Sequence, residues 1–166
     1  MSSIKHTFHE SPLGKLLLRR DGQILTGLWF ADEAHPPEPG ADWHWDDYGF
    51  DQVRRELDAY FAGTLQVFTV PVNAPAGTAF QREVWKELTR IPYGTTISYG
   101  EQARRLGKPA AVRAIGSANG KNPVSIIIPC HRVIGANGSL TGYGGGLPAK
   151  RWLLEHEAAY DGSQKL

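Results

Sequence analysis

The apolar positions at the start of the chain come in short runs divided by turn formers, a spacing that suits strands. Thr7-Phe8-His9 runs into Ser11-Pro12, Leu16-Leu17-Leu18 into Asp21-Gly22, and Ile24 to Phe30 follows. An Asp-Gly pair between two apolar runs predicts a hairpin. Ala34 to Asp47, rich in proline and acids, predicts an exposed, irregular connection. The period then changes. Phe50, Val53, Leu57 and Phe61 recur at intervals of three and four, so Phe50 to Ala62 is expected as an amphipathic helix covering the sheet, closed by Gly63. Phe68 to Val72 is expected as a further strand. Trp29, Trp43 and Trp45 suit packing or surface positions better than a ligand site.

Asn73-Ala74-Pro75-Ala76-Gly77 reads as a boundary, giving domains at 1–76 and 77–160 and a tail at 161–166. Beyond it, Thr78 to Gln81 fits a capping box ahead of a stripe of Val84, Leu88 and Ile91. Ser98 to Glu101 gives a second box, opening a helix through Leu106 that Gly107 ends. Lys108-Pro109 is expected to start a third helix, Ala110 to Asn119. The last two helices have the proportions of a helix-turn-helix. Val124 to Ile128 reads as a buried strand ending at Pro129, and Pro148 opens a final helix.

Composition narrows the classes. The chain has 166 residues, enough for one good core or two small ones that lean on each other. No apolar run reaches the roughly 18 to 20 residues of a membrane span, and Met1 to Glu10 lacks the pattern of a secretion signal, so a cytoplasmic protein without membrane contact is expected. One cysteine excludes an internal disulfide, a Cys-x-x-Cys redox pair and a cysteine-based zinc cluster. The six histidines form no metalloprotease pattern, and neither metal nor cofactor is expected. Net charge is only +1, but it is unevenly spread. Residues 1–78 hold six Lys and Arg against eleven Asp and Glu, and residues 79–166 twelve against six. A basic second half is equally consistent with a polyanionic partner or with chance asymmetry between domains. Within residues 98–121 five basic residues oppose Glu101 alone, and Ala110, Ala111, Ala114, Ser117 and Ala118 make a slim helix that could approach DNA closely, with Arg113 among them.

The strongest candidate for chemistry is Cys130, within Ile128-Pro129-Cys130-His131-Arg132-Val133. A free cysteine is ordinarily a small buried hydrophobe. Bracketed by Pro129 and by His131-Arg132 at a strand mouth, this one reads as a reactive nucleophile instead. The neighbouring imidazole and guanidinium are expected to favour the thiolate, lowering the thiol from about 8.5. Because His131 is the next residue, it is expected to act through a water or a turn. Thr141 to Gly146 is a glycine-rich loop in which Tyr143 offers a lid, and Glu157 could return to His131 and hold its tautomer, or lie at the surface.

The cysteine motif, with Ile97-Ser98-Tyr99, Ala114-Ile115-Gly116, Asn122-Pro123-Val124 and Trp152 to Glu157, resembles the methylated-DNA–protein-cysteine methyltransferases, the O6-alkylguanine-DNA alkyltransferases. The specific motifs cover Phe80 to Glu157. The resemblance implies an α/β (α+β) protein: a ribonuclease H-like N-terminal domain with a small antiparallel sheet and a covering helix, then a mostly helical, winged-helix-like domain. It implies a single-turnover transfer of the alkyl group from O6-alkylguanine, and from O4-alkylthymine, in double-stranded DNA. Cys130 would be the acceptor, His131 the water-mediated base, Glu157 its orienting carboxylate and Asn122 the hinge supporting the cysteine region. Tyr99 would present a hydroxyl toward guanine N3, and Arg113 would fill the space left by a flipped nucleotide. Ala114, Ser117 and Arg132 would face DNA, bound through the minor groove. Tyr143, Gly144 and Gly145 would flank the guanine, with the carbonyls of Cys130 and Val133 accepting from its amine. Gly144 stands where many members have serine, which removes a hydroxyl and keeps the amide. A monomer in solution is implied, with cooperative assembly on DNA left open. A cysteine hydrolase, an operator-binding regulator and a non-catalytic lesion sensor are the competing classes.

Overall fold

The computed structural model describes residues 3–33, 40 and 42–161. Strands β1 (Ile4–Ser11), β2 (Gly14–Asp21) and β3 (Ile24–Phe30) form an antiparallel meander. The Asp21-Gly22 turn joins β2 to β3 with Gly22 at φ 58°, a conformation that suits glycine. Pairing Leu16 with Phe30 and Leu18 with Leu28 places a single apolar face inward. Helix α1 (Asp51–Phe61) lays Val53, Leu57 and Tyr60 on that face, where all are buried.

Two expectations for this half change. The segment around residues 42–47 contributes a short strand, β4 (His44–Trp45), parallel to β1, so the sheet runs β3-β2-β1-β4; residues 34–39 and 41 of the expected connection lie outside the described residues. Phe68 to Val72 is not a strand and makes only an isolated bridge from Val72 to Leu25. Its amides are committed elsewhere: Thr69 and Val70 donate to the Glu56 carboxylate at 2.8 and 3.1 Å, and Pro71 has no N–H to give.

The second half opens with α2 (Ala79–Leu88) behind a complete Thr78–Gln81 capping box. Helix α3 (Tyr99–Arg105) is capped by Ser98 Oγ, but Glu101 turns to Arg104 and Arg105 and does not close the box. Gly107 at φ 69° ends the helical run. Helix α4 (Val112–Gly120) starts later than expected, since residues 108–111 form a turn in which Ala111 donates to the Lys108 carbonyl at 2.9 Å. A reciprocal amide pair, Gln102 with Asn119 at 2.8 Å both ways and buried, locks α3 to α4. Trp85 donates to the Ala118 carbonyl at 2.8 Å and ties α4 to α2.

The expected strand Val124 to Ile128 is the main departure. Val124 makes one bridge to Leu28 of β3, and the chain then coils: Ile128 donates to the Val124 carbonyl at 3.0 Å, and Ile126 sits at φ 72°. Such a φ in a β-branched residue is rare and persists only where surrounding contacts hold it; Ile126 is 1% exposed. The run is buried except for the half-buried Ile127, and the strand-like pairing is made by Leu28 with Pro123 and Ser125. The segment is therefore docked on the edge of β3. A 3₁₀ turn (Cys130–Arg132), β6 (Val133–Ile134) parallel to β5 (Ile97–Ser98), and α5 (Leu147–Tyr160) complete the fold. One buried cluster runs through both halves, from Leu16, Leu28 and Tyr60 to Ile115, Val133 and Leu153.

Candidate functional site

Cys130 opens the 3₁₀ turn that the coiled 124–129 segment delivers, and lines a cavity of about 680 Å³. Tyr99, Asn122, Tyr143 and Gly144 line that cavity, joined by Trp29 and Glu33 from the sheet unit. Cys130 is 8% exposed, against the expectation of an open strand mouth. Burial pushes it above its ordinary value, while the Asn122 amide and the Lys150 charge pull it back. The predicted depression by the adjacent His131 and Arg132 is thus corrected: both side chains turn away from the cavity into the protein.

Asn122 supports the turn from one side. Its amide donates to the Ile128 carbonyl at 2.7 Å and to Cys130 Sγ at 3.3 Å, and its carbonyl accepts from Val124 N at 3.0 Å. The other side is an ionic network on Glu157, which α5 buries at 1% exposure. Oε2 accepts from His131 Nε2 at 2.7 Å, Arg132 Nη2 at 3.0 Å and the Tyr60 hydroxyl at 2.7 Å, and Oε1 accepts from Arg132 Nε at 2.8 Å. Burial alone would raise this carboxyl, but the bonds and charges of His131 and Arg132 outweigh it and hold it well below the usual carboxylate range. His131 is fully buried, which lowers its basicity against the pull of Glu157. With Nε2 spent on the carboxylate, its Nδ1 has no hydrogen-bond partner among the described residues, and the ring is fixed as the tautomer with an acceptor at Nδ1.

Arg132, expected to face DNA, is buried instead. Its guanidinium is spent on Glu157 and on the Ile91 carbonyl at 2.7 Å. Val133 is also fully buried, its amide donating to the Cys130 carbonyl and its backbone paired with Ile97. Arg113, Ala114 and Ser117 lie together on the exposed side of α4. Tyr99 begins α3, its hydroxyl 3.2 Å from the Thr141 carbonyl. Gly145 packs so closely on Phe30 that a Cβ would come within 2.6 Å of the ring. At Gly144 a Cβ would meet Glu33 Oε2 at 3.1 Å, so a serine here would need that carboxylate to move.

Sequence reasoning missed Lys150 and Tyr60. Lys150, on the first turn of α5, is fully buried, donates to the Thr141 carbonyl at 2.9 Å and holds its ammonium 5.9 Å from the Tyr99 ring centre. Its place four residues past the glycine-rich loop was the one available hint. Tyr60 reaches Glu157 across 97 positions of sequence, a separation that no local pattern reveals.

Comparison with known proteins agrees with this geometry. Residues 4–74 match the family model of the 6-O-methylguanine DNA methyltransferase ribonuclease-like domain, and residues 79–159 that of its DNA binding domain. The methylated-DNA–protein-cysteine methyltransferase of Haemophilus influenzae is 45% identical over 95% of this chain and 88% of its own length. The crystal structure of Mycobacterium tuberculosis OGT in complex with DNA superposes with a TM-score of 0.88 at 47% identity, covering 94% of each chain. That of the M. tuberculosis O6-methylguanine methyltransferase gives 0.89 at 46% identity, over 98% of this chain and 97% of the other. The chain belongs to the methylated-DNA–protein-cysteine methyltransferase family.

Proposed function

We propose that this protein directly reverses DNA alkylation damage, moving the alkyl group of O6-alkylguanine in duplex DNA onto Cys130. The observation that carries this reading is the single cysteine lining a roomy cavity, next to a slim helix that exposes Arg113 and backed by a buried His131–Glu157 pair at 2.7 Å.

Guanine O6 lies within the base stack, so the nucleotide must be flipped out before sulfur can reach it. The exposed side of α4 suits close approach through the minor groove, where Ala114 and Ser117 would pass the backbone and Arg113 would fill the vacated space. The thiol is protonated at rest because it is buried. It would give its proton toward His131 Nδ1 through a bridging water, while Glu157 holds the other ring nitrogen. Sulfur then bonds to the alkyl carbon, the bond from that carbon to O6 breaks, and guanine leaves. Tyr99 near N3 and the Gly144 amide near O6 would stabilise the charge that builds on the base. Net, the thiol hydrogen is exchanged for the alkyl group. Arg132 and Val133, being buried, serve this scheme by shaping the turn; Tyr143 and Gly145 wall the base. The thioether is stable to water and there is no second cysteine, so each molecule acts once. In this reading the two domains meet near residue 76, the protein is a monomer in solution, and O4-alkylthymine is a second substrate.

The test is peptide mapping by mass spectrometry after incubation with a duplex bearing O6-methylguanine. One added CH2 on the peptide containing Cys130, and none in Cys130→Ala, is expected. A gain elsewhere, or none, overturns the assignment, and turnover of an ester or amide would reveal a hydrolase instead.

A further inference from the structure

The N-terminal unit reaches the proton relay through Tyr60 of α1. Its hydroxyl donates to Glu157 Oε2 at 2.7 Å, on the same oxygen that receives His131 Nε2. The contact is rigid. Tyr60 is fully buried, its ring packs on Phe61, Phe68, Tyr93 and His156, and its backbone carbonyl accepts from His156 Nε2 at 2.6 Å. Helices α1 and α5 are thus joined twice at this point, once by backbone and once by the carboxylate that orients His131.

The chemistry of the contact matters as much as its rigidity. Burial and the adjacent Glu157 charge both push the Tyr60 hydroxyl far above its ordinary value, so it is a donor at every working pH. The titratable and charged groups around the relay are Glu157 and His156 on α5, His131 and Arg132 on the 3₁₀ turn with Cys130, Tyr93 after α2 with Tyr160 and Asp161 beside it, Tyr143 from the glycine loop, and Lys150. Arg132 neutralises Glu157 from one side and Tyr60 shares its charge from another. A carboxylate satisfied in this way pulls less strongly on the Nε2 proton, which leaves His131 neutral and its Nδ1 able to accept.

We propose that Tyr60 is a positioning residue for alkyl transfer: its hydroxyl fixes and moderates Glu157 so that His131 stays a neutral acceptor. The N-terminal unit thereby controls a rate set in the other half of the molecule. This rests on Cys130 being the acceptor with His131 as its relay.

The test is Tyr60→Phe, which keeps the ring and its packing. Single-turnover transfer from O6-methylguanine duplex is followed across pH, in the wild-type and Glu157→Gln backgrounds, with Tm for each variant. With Glu157 present, the rate falls on the order of tenfold, the effect of losing a hydrogen bond to a charged group. The acid limb of the pH profile moves to higher pH, because a less satisfied Glu157 holds a proton on His131 more strongly. In the Glu157→Gln background the factor shrinks toward one, since the group that Tyr60 acts through is gone. The ring ¹⁵N shifts of His131 supply a second readout and move in Tyr60→Phe with no DNA present. An equal factor in both backgrounds, or a slower rate with unmoved pH limb and ¹⁵N shifts, overturns the proposal and makes Tyr60 merely structural. Wild type that transfers while Tyr60→Phe matches it also overturns the proposal alone. Wild type that puts no methyl group on Cys130 refutes the function, and this proposal with it.

Discussion

Two arginines close to the site are used in opposite ways. Arg132, beside the cysteine in sequence, lies 7% exposed with its guanidinium committed to Glu157 and to the Ile91 carbonyl. Arg113 stands on the exposed side of α4 among Val112, Ala114, Ser117 and Gly120. The first holds the interior of the molecule together, and the second is available to a partner. The difference shows that proximity to a reactive residue along the chain says little about a charge's task. Burial and the partner it meets decide that.

Cys130→Ala should remove transfer entirely while leaving affinity for lesion-bearing duplex within about threefold, as measured by fluorescence anisotropy, since the chemistry and the DNA-facing surface are separate. Arg132→Ala should unfold more easily by about 3–5 kcal/mol, because Glu157 would be left buried without its cation; urea denaturation measures this, and a loss under 1 kcal/mol would reduce the network to ornament. Arg113→Ala should change folding stability by less than about 0.5 kcal/mol and still slow transfer, with weaker DNA binding and a shallower salt dependence.

A pH prediction follows from Glu157. Its carboxyl is held below the usual range when folded, so its contribution to stability is complete above the ordinary carboxylate value and is lost as pH falls through the depressed one. Acid unfolding of Glu157→Gln should lack this component, which a comparison of urea midpoints between neutral and acidic pH would show. The smallest effect concerns the thiol. Asn122→Ala removes the one side-chain donor to Sγ among the described residues, so alkylation of Cys130 by iodoacetamide should need higher pH than in wild type, by roughly one unit or less.

What could be read from the sequence divides along physical lines. The β2–β3 hairpin, α1 and the α2 cap rest on local signals, an Asp-Gly turn, a helical stripe and a Thr-to-Gln box, and they are recognisable without the fold. Phe68 to Val72 misleads because Glu56, on another element, takes the amides that a strand would have used. Val124 to Ile128 misleads for a general reason: a short, largely apolar and largely buried run has no period by which to separate strand from coil. The cysteine motif signals its chemistry directly, but the environment of the thiol does not follow from its neighbours in sequence. His131 and Arg132 point away, and Lys150 and Asn122 approach through the fold. The Tyr60–Glu157 contact is the extreme case, being set wholly by how α1 meets α5.

The central claim is that Cys130 accepts one alkyl group and is consumed by doing so. The direct measurement is to give the protein a large excess of O6-methylguanine duplex bearing a labelled methyl group and follow the label to completion. The account predicts a plateau at one methyl group per protein molecule, all of it on Cys130. Continued release of repaired DNA beyond that ratio, or label shared with any other residue, would contradict it.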